Sequence, residues 1–245
     1  MKHSHMNKRK GFTLMETVIA IGVLAVMLTA FMGVFGPATK TIRKAINVQE
    51  ADRLTSALEK ELSTNRPTSG NSGEATTAFH KAYEWIMESH EENNAVFAYQ
   101  YRGDPNALRA DGTMTPYLEK DGQAGKDFVV QPMFRRRDDK AFVEDMASLE
   151  GRVFFVKMTQ LVFSNNAGLT LGEAGKITPP PQPANSPTSA LTGQGADGYP
   201  EAVIPFTADF YEIQTTDVNF LKPGGKFNPA SYPIPMFSRN LAVRR

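Results

Sequence analysis

The longest apolar segment of the chain lies near its N-terminus, where the 24 residues from Phe12 to Phe35 carry one formal charge, that of Glu16. A helix of this length extends for about 36 Å, and the hydrocarbon core of a bilayer is about 30 Å thick. A helix buried in the core of a globular domain is the alternative, but such helices are usually shorter and carry a polar edge. The pattern therefore predicts a membrane-spanning helix.

The residues before this segment predict its orientation. Lys2, Lys8, Arg9 and Lys10 precede it, and the first eleven residues contain no Asp or Glu. A basic flank stays on the cytoplasmic side, so we expect the rest of the chain on the other side of the membrane. A cleaved signal peptide is the rival interpretation, but it needs a shorter apolar region and a small-x-small cleavage site. Residues 36–38 (Gly-Pro-Ala) match such a site poorly.

Beyond the apolar segment, the spacing of apolar residues predicts two further helical stretches. Apolar side chains recur at helical spacing over residues 38–63, and they are Ile42, Ile46, Leu54, Leu58 and Leu62. Gly33, Gly36 and Pro37 precede this stretch and predict either a kink or a boundary between two helices. A second amphipathic helix is expected over residues 74–92, because its apolar residues follow helical spacing.

The C-terminal two thirds of the chain contain short runs of β-branched and aromatic residues that are separated by turn residues. Strands are expected at residues 95–101, 127–134, 152–164, 201–213 and 234–243. Helices followed by strands predict an α+β fold with a mainly antiparallel sheet. Residues 177–200 are rich in Pro, Gly and Ser and predict an exposed loop, which is either a partner-binding surface or a simple insertion.

The carboxylate of Glu16 is unexpected in an apolar membrane-spanning helix. A carboxylate at the centre of a membrane helix costs about 2.5–3.5 kcal/mol on insertion scales, so we expect it to have a partner. The basic residues Lys8–Lys10 reach it if their side chains fold back along the membrane surface. The alternative partner is a positive charge that processing creates or that another chain supplies.

The residues around this carboxylate carry a resemblance to a known family. Residues 10–16 (Lys-Gly-Phe-Thr-Leu-Met-Glu), with a short basic leader before them and a long apolar run after them, resemble the class III signal of type IV prepilins and pseudopilins. The resemblance implies cleavage after Gly11 by a membrane-embedded prepilin peptidase and N-methylation of the new terminal residue, Phe12. It also implies that Glu16 neutralises the terminal amine of a neighbouring subunit during assembly.

The same resemblance implies a division of the chain. Residues 1–11 are the cleaved leader, residues 12–63 form the long N-terminal helix, and residues 64–245 form an extracytoplasmic α+β head. Within the mature chain, Glu16 lies one helical turn after the amine of Phe12, on the same face of the helix. Pairing of the two charges in a low-dielectric setting favours correct axial register between subunits.

Composition narrows the range of functions. The whole chain has 27 Lys+Arg and 26 Asp+Glu, and removal of the leader leaves 23 basic residues, for a net charge of −3. Such a chain is not expected to bind nucleic acid through bulk charge. There is no cysteine, which excludes disulfides, thiolate metal sites and cysteine nucleophiles.

Three other groups of polar residues favour structural roles over chemical ones. His80 and His90 are too far apart along the expected second helix to form a ligand pair. Asp104, Asn106 and Asp111 lack the spacing of an EF-hand and predict a turn. The three arginines of residues 135–137 precede two aspartates, which predicts a self-compensated surface segment. We find no phosphate-binding loop, nucleophile elbow or HExxH motif, and we predict no catalytic site, metal or cofactor.

These observations favour a pilin-like structural subunit of a type IV pilus or secretion pseudopilus, with prepilin peptidase, other pilin subunits and the bacterial inner membrane as its partners. The long insertion, and the absence of the C-terminal cysteine pair found in many major pilins, favour a minor subunit. The alternatives are a membrane-anchored extracytoplasmic binding protein that does not polymerise and, third, an envelope enzyme. Adhesion, motility, DNA uptake and secretion all stay open as roles.

Overall fold

The computed structural model describes residues 13–65, 77–164, 168–180 and 195–245. Among these, the residues up to Ala51 form one compact unit and Asp52–Arg245 form another, which we call the head. The predicted processing residues Gly11 and Phe12, the basic leader and the middle of the Pro-rich segment lie outside the described residues.

The first unit consists of the N-terminal part of helix α1, which spans Leu14–Ser63 and continues into the head. All described side chains between Thr13 and Phe35 are exposed. The helix is continuous through Gly33 and Pro37, so a boundary between two helices at this point is wrong. A proline removes a single backbone hydrogen bond, which a helix of 50 residues tolerates. The kink stays a prediction.

Among the described residues, the head contains residues 52–63 of α1, three shorter helices and seven strands. The other helices are α2 (Ala78–Glu88), α3 (Lys140–Asp145) and α4 (Val218–Leu221). The strands are β1 (Val96–Leu108), β2 (Met114–Pro116), β3 (Val129–Arg136), β4 (Leu149–Ser164), β5 (Gly168–Leu171), β6 (Val203–Ile213) and β7 (Phe237–Arg244). Two single 3-10 turns lie at Met146–Ser148 and Pro229–Ser231.

All the strands belong to one sheet, in which the main order is β2-β1-β4-β6-β7. Strand β3 pairs with β1, and β5 pairs with the C-terminal end of β4. Every pairing between these named strands is antiparallel. The predicted α+β fold, with a long apolar N-terminal helix and a mainly antiparallel sheet, is therefore confirmed.

One face of the sheet packs against the helices α1 and α2. The predicted apolar stripe of α1 supplies Leu54, Leu58 and Leu62, all of which are buried against Phe79 and Ile86 of α2 and the even-numbered core residues of β4. Because side chains alternate along a strand, the odd-numbered residues of β4 face the other way. Burial of three leucines contributes roughly 4–9 kcal/mol from apolar transfer before the entropy cost is counted.

The opposite face of the sheet carries a second apolar cluster. Phe97 and Phe155 from the sheet pack there against Phe142 of α3, Leu221 of α4 and Phe227. The ring centroids of Phe97 and Phe142 are 4.9 Å apart and nearly parallel. The sheet therefore lies between two layers, one of helices and one of short elements and loops.

The ends of the Pro-rich segment differ from the prediction of an exposed loop. Ala196 and Tyr199 are buried in the first cluster, and Ile177 packs against it. The side chain of buried Gln160 accepts a hydrogen bond from the backbone N–H of Thr178 at 2.6 Å and donates one to the Thr178 carbonyl at 2.9 Å. Aromatic and β-branched residues at the two ends fit the core although the composition of the segment as a whole is polar.

The three consecutive arginines do not form a surface segment, and this prediction is wrong. Arg135 and Arg137 are buried. The predicted compensation by the two aspartates does occur, because Arg136 pairs with Asp138 at 3.1 Å and Arg135 pairs with Asp139 at 2.9 Å. Arg135 and Arg136 lie on strand β3, so their side chains point to opposite faces of the sheet. Arg136 contacts Glu88 of α2 on one face, and Arg135 contacts Asp145 of α3 on the other.

Arg137 is fully buried and joins distant parts of the head. Its guanidinium donates to the carbonyls of Leu221 and Lys222 at 2.8 Å each and to Glu92 Oε1 at 3.0 Å. It also lies 5.3 Å from the ring centroid of Phe227. One side chain thus satisfies the carbonyls at the end of α4 that the helix itself leaves unpaired.

We expect Arg137→Met to lower the free energy of unfolding of the full-length chain in detergent by about 3–5 kcal/mol, because it leaves buried carbonyls without donors. Denaturant titration followed by tryptophan fluorescence measures the change. Arg152→Met is the control, since Arg152 is about half exposed beside Glu212, and it should cost less than about 1 kcal/mol. Equal losses in the two variants would contradict the assigned role of Arg137.

Candidate processing and assembly site

The first turn of α1 is closed by hydrogen bonds between Thr13 and Glu16. The backbone N–H of Thr13 donates to Glu16 Oε2 at 3.1 Å, and the Thr13 hydroxyl donates to the same oxygen at 3.2 Å. In return, the backbone N–H of Glu16 donates to Thr13 Oγ1 at 3.3 Å. Thr13 is therefore the N-cap and Glu16 the third helical residue of a capping box.

The helix that follows the cap is able to cross a membrane. Residues Leu14–Phe35 form a 22-residue segment that is long and apolar enough for a span, and none of it is buried within the protein. Glu16 lies in the first turn of this segment and is its one formal charge. An acidic side chain near a helix N-terminus is also stabilised by the helix dipole.

The structure brings together only part of the predicted site. Gly11, Phe12 and the basic residues Lys8–Lys10 lie outside the described residues, so their contacts with Glu16 are not described. Thr13, which is the described partner of Glu16, was not singled out from the sequence. The sequence does contain a signal for this contact, because Thr-x-x-Glu directly before an apolar run is the pattern of a capping box.

The acidic residues of the head that predict a turn belong to two different local structures. Asp104 and Asn106 lie on strand β1 at a register shift. The backbone N–H of Asn106 donates to Asp104 Oδ1 at 2.8 Å there, so a local Asx contact within the strand stands in place of the predicted turn. The turn occurs at Asp111 and Gly112, where Gly112 has a φ of 77° and its N–H donates to the Arg109 carbonyl. Among the described residues, no group of three or more His, Asp or Glu side chains is placed to hold a metal ion.

His80 and His90 both have structural partners. His80 lies on α2 and its ring nitrogens contact Thr77 Oγ1 at 2.6 Å and Asp197 at 3.0 Å. His90 lies beyond the end of α2 at Glu88, so its predicted position on the helix is wrong. The His90 Nε2 contacts the carbonyl of Met158 at 2.9 Å, which joins the α2–β1 turn to β4. Burial lowers the pKa of His90.

A group of paired charges in the head surrounds Asp145, whose side chain is fully buried. It accepts hydrogen bonds from Arg109 at 2.7 Å, Arg135 at 3.1 Å and the Tyr99 hydroxyl at 2.6 Å. Burial raises the pKa of Asp145, while the Tyr99 hydrogen bond and the two arginines oppose that rise. Burial, with the charge of Asp145 next, holds the pKa of Tyr99 well above its ordinary value.

This group joins α3 to the sheet. Arg135 also bonds Thr113 at 2.8 Å and Asp111 at 3.1 Å, and so ties the β1–β2 connection to the same cluster. Buried charges that are paired and hydrogen-bonded in this way specify one arrangement of neighbouring elements. The contacts are those of a structural network.

Comparison with known proteins supports the N-terminal site. Residues 6–32 match the family model of the prokaryotic N-terminal methylation motif, which is the class III signal of type IV pilins and pseudopilins. No curated protein and no solved structure matches the chain. The matched residues include Gly11, Phe12, Thr13 and Glu16 and most of the apolar span. The chain therefore carries the signal of a prepilin-like protein that prepilin peptidase processes and that a single apolar helix anchors in the membrane.

The charge network makes the stability of the head depend on pH. Burial raises the pKa of Asp111, but hydrogen bonds from Thr113 and the charge of Arg135 outweigh it, so the pKa is lowered overall. A lowered pKa means that ionised Asp111 stabilises the fold above the ordinary Asp pKa of about 4. That contribution is lost as the pH falls through the lower folded-state pKa.

We expect Asp111→Asn to lower the free energy of unfolding by about 1–2 kcal/mol at pH 7 and by much less at pH 3. Denaturant titrations of the full-length chain in detergent at the two pH values measure both quantities. Exposed Asp121 provides the control, since Asp121→Asn should change stability little at either pH. A loss of the same size at pH 7 and pH 3 would argue against an ionic role for Asp111.

Proposed function

We propose that this chain is a pilin-like structural subunit that prepilin peptidase processes and that assembles into a type IV pilus or secretion pseudopilus. The observation that carries the proposal is the N-terminal methylation motif at residues 6–32. It coincides with an exposed apolar helix that begins at a cap containing the one carboxylate of the span. The chemistry of such a protein is self-association, and we assign it no catalytic role, metal or cofactor.

Processing supplies the charge that Glu16 needs in this proposal. Hydrolysis of the peptide bond after Gly11 releases the basic leader and creates an amine on Phe12, which is protonated at neutral pH. N-methylation of Phe12 leaves that amine basic. The helix cap lies on the mature side of the bond, so it is present before and after cleavage.

Assembly then places this cation beside a carboxylate of another chain. In a bundle of apolar helices, an unpaired charge is strongly unfavourable, and a paired one is tolerated. Pairing between Glu16 of one subunit and the amine of Phe12 of its neighbour therefore selects the axial offset at which both charges are satisfied. The head remains extracytoplasmic, first at the inner membrane and then on the filament or cell surface.

The head supports the proposal of a minor subunit. Its sheet carries a long Pro-rich segment whose two ends are fixed by Gln160 and by Arg245, which donates hydrogen bonds to the carbonyls of Ala196 and Tyr199. The two described ends of the segment are therefore held against the head. This arrangement suits a subunit with a specialised contact more than an abundant shaft subunit.

A second candidate function is a membrane-anchored binding protein that does not polymerise. The observation that favours it is the β4–β5 hairpin, where Phe163, Leu169 and Leu171 are exposed on adjacent strands. Large apolar side chains that stay exposed together often mark a binding surface. Processing at Gly11 separates the two candidates, because a permanent anchor has no need of it.

Intact-mass and N-terminal peptide mass spectrometry of the chain from its native membrane tests processing directly. We expect a mature chain that begins at Phe12 and carries one added methyl group. A chain that retains Met1 would support the permanent anchor instead. A chain that begins after Phe35 would indicate ordinary secretion and would rule out the filament proposal.

Two substitutions of Glu16 test assembly. Glu16→Ala removes both the cap acceptor and the charge, whereas Glu16→Gln keeps an oxygen that accepts from Thr13 and removes only the charge. We expect both variants to insert in the membrane and to be cleaved after Gly11, and we expect recovery in sheared filaments to fall at least about tenfold. Normal recovery of either variant in filaments would contradict the proposed pairing.

A further inference from the structure

Strand β5 is an edge strand of the sheet. It pairs antiparallel with β4 and has no other strand partner in the part of the chain that the structure describes. The backbone N–H of Gly172 donates to the Gln160 carbonyl at 2.8 Å, so Leu161 and Leu171 form a non-hydrogen-bonded pair. Bonded and non-bonded pairs alternate along an antiparallel ladder. The backbone N–H and C=O groups of Leu169 and Leu171 therefore point away from β4.

Large apolar side chains lie beside these outward-pointing backbone groups. Leu171 faces Leu161 across the hairpin. Leu169 faces Phe163, and residues that face each other in this way lie on the same side of the sheet. The exposed fractions are 67% for Phe163, 48% for Leu169 and 61% for Leu171. Edge strands usually carry a charge, a proline or a bulge that blocks further pairing. Strand β5 (Gly-Leu-Thr-Leu) has no charge and no proline, and its register with β4 is regular.

We propose that β5 pairs with β5 of a second copy of this chain, antiparallel and in one continuous sheet. A twofold axis between the two Thr170 residues places Leu169 of each copy opposite Leu171 of the other. Each of these two pairs exchanges two backbone hydrogen bonds through the groups that point away from β4. The inference goes beyond the proposed function and does not depend on it, because a filament subunit and a permanent anchor both carry this edge.

The second copy is the occupant that the observations favour, because β5 complements itself. In the twofold arrangement, the apolar pair of Phe163 and Leu169 continues into Leu171 and Leu161 of the other copy, so apolar side chains meet apolar side chains. No charged residue of β5 faces a like charge. The strand that fits this edge has to be short, uncharged and apolar at alternate positions, and β5 is itself such a strand.

The size of the contact predicts a reversible pairing. The exposed parts of Phe163, Leu169 and Leu171 amount to roughly 250 Å² of apolar surface in each copy. Stable interfaces bury about 1,200–2,000 Å² in total, so these side chains and the backbone hydrogen bonds support a weak association. Anchoring of copies in one membrane by the Leu14–Phe35 helix raises their local concentration. A covalent trap applied to the membrane-embedded chain is therefore the suitable readout.

The absence of cysteine from the chain allows a disulfide trap. Thr170 forms a hydrogen-bonded pair with Val162, so the two Thr170 residues form a non-hydrogen-bonded pair across the axis, with Cα atoms about 4.5 Å apart. A disulfide spans Cα distances of about 4.4–6.8 Å. Under mild oxidation of native membranes, we expect full-length Thr170→Cys to form a disulfide-linked dimer.

Thr115→Cys is the matched control. Thr115 is also half-buried on a short strand, β2, and its hydroxyl donates to a carbonyl of the adjacent strand at 3.3 Å. The Thr170 hydroxyl does the same at 3.3 Å. At equal chain levels, we expect the dimer yield of Thr170→Cys to exceed that of Thr115→Cys at least about tenfold, because only the former places two thiols within disulfide distance.

A second substitution in the Thr170→Cys chain tests the edge hydrogen bonds. Leu171→Pro removes an N–H that points away from β4, so the pairing with β4 is retained while each copy loses one donor to the other. We expect it to lower the dimer yield about tenfold, as loss of two backbone hydrogen bonds predicts. Leu171→Val keeps the N–H and an apolar side chain and should leave the yield unchanged. Denaturant titration followed by Trp85 fluorescence compares the folding of the variants.

The outcomes decide both the pairing and its occupant. Equal dimer yields from Thr170→Cys and Thr115→Cys would overturn the pairing, as would a yield that Leu171→Pro leaves unchanged in a folded head. Peptide mass spectrometry identifies the linked residues, and a disulfide to a different protein in place of the dimer would overturn the second copy as the occupant. None of these readouts requires cleavage after Gly11, so failure of the pairing and failure of the proposed function are distinguishable.

Discussion

A carboxylate on an apolar helix needs hydrogen-bond donors, and this requirement organises the N-terminal part of the molecule. Glu16 finds its donors within its own first turn, where Thr13 supplies a backbone N–H and a hydroxyl. The same contacts satisfy backbone N–H groups that the start of any helix leaves without a partner. Glu16 therefore caps the helix and at the same time obtains hydrogen bonds for its own carboxylate. Without the cap, the span would begin with unpaired backbone groups beside an unpaired charge, and both are costly away from water.

Helix α1 serves in two environments, and the distribution of its apolar residues changes accordingly. Between Leu14 and Phe35 apolar side chains surround the helix on all sides, as expected for a segment in lipid or in a bundle of helices. From Asp52 onward they are confined to a stripe, and Leu54, Leu58 and Leu62 of this stripe are buried against the sheet. The change from one pattern to the other marks where the helix stops being an anchor and becomes part of a folded head.

The sequence predicts those features that depend on a pattern in their own residues better than those that depend on neighbouring elements. Strands β4 and β6 are long runs of β-branched and aromatic residues, and their expected positions agree closely with the structure. The three-residue strand β2 and the four-residue β5 form because a neighbouring strand is present, and their own residues give no periodic signal. The run of charge at residues 135–137 predicts a surface segment, but strand alternation sends Arg135 and Arg136 to opposite faces of the sheet. The capping box at Thr13 and Glu16 is determined locally, and its Thr-x-x-Glu pattern is present in the sequence.

The buried arginines show how a cysteine-free head fixes the connections between its elements. Arg137 joins the end of β3 to α4, and Arg135 with Asp145 joins β3 to α3 and to the β1–β2 connection. Each guanidinium has five donors in a fixed plane, so one side chain orients several backbone and carboxylate acceptors at once. A disulfide constrains the unfolded chain by closing a loop, whereas these networks act on the folded state by making other arrangements leave buried charges unpaired. Stability that depends on charge pairing is sensitive to protonation of its carboxylates, so the same groups that define the head also determine how it responds to acid.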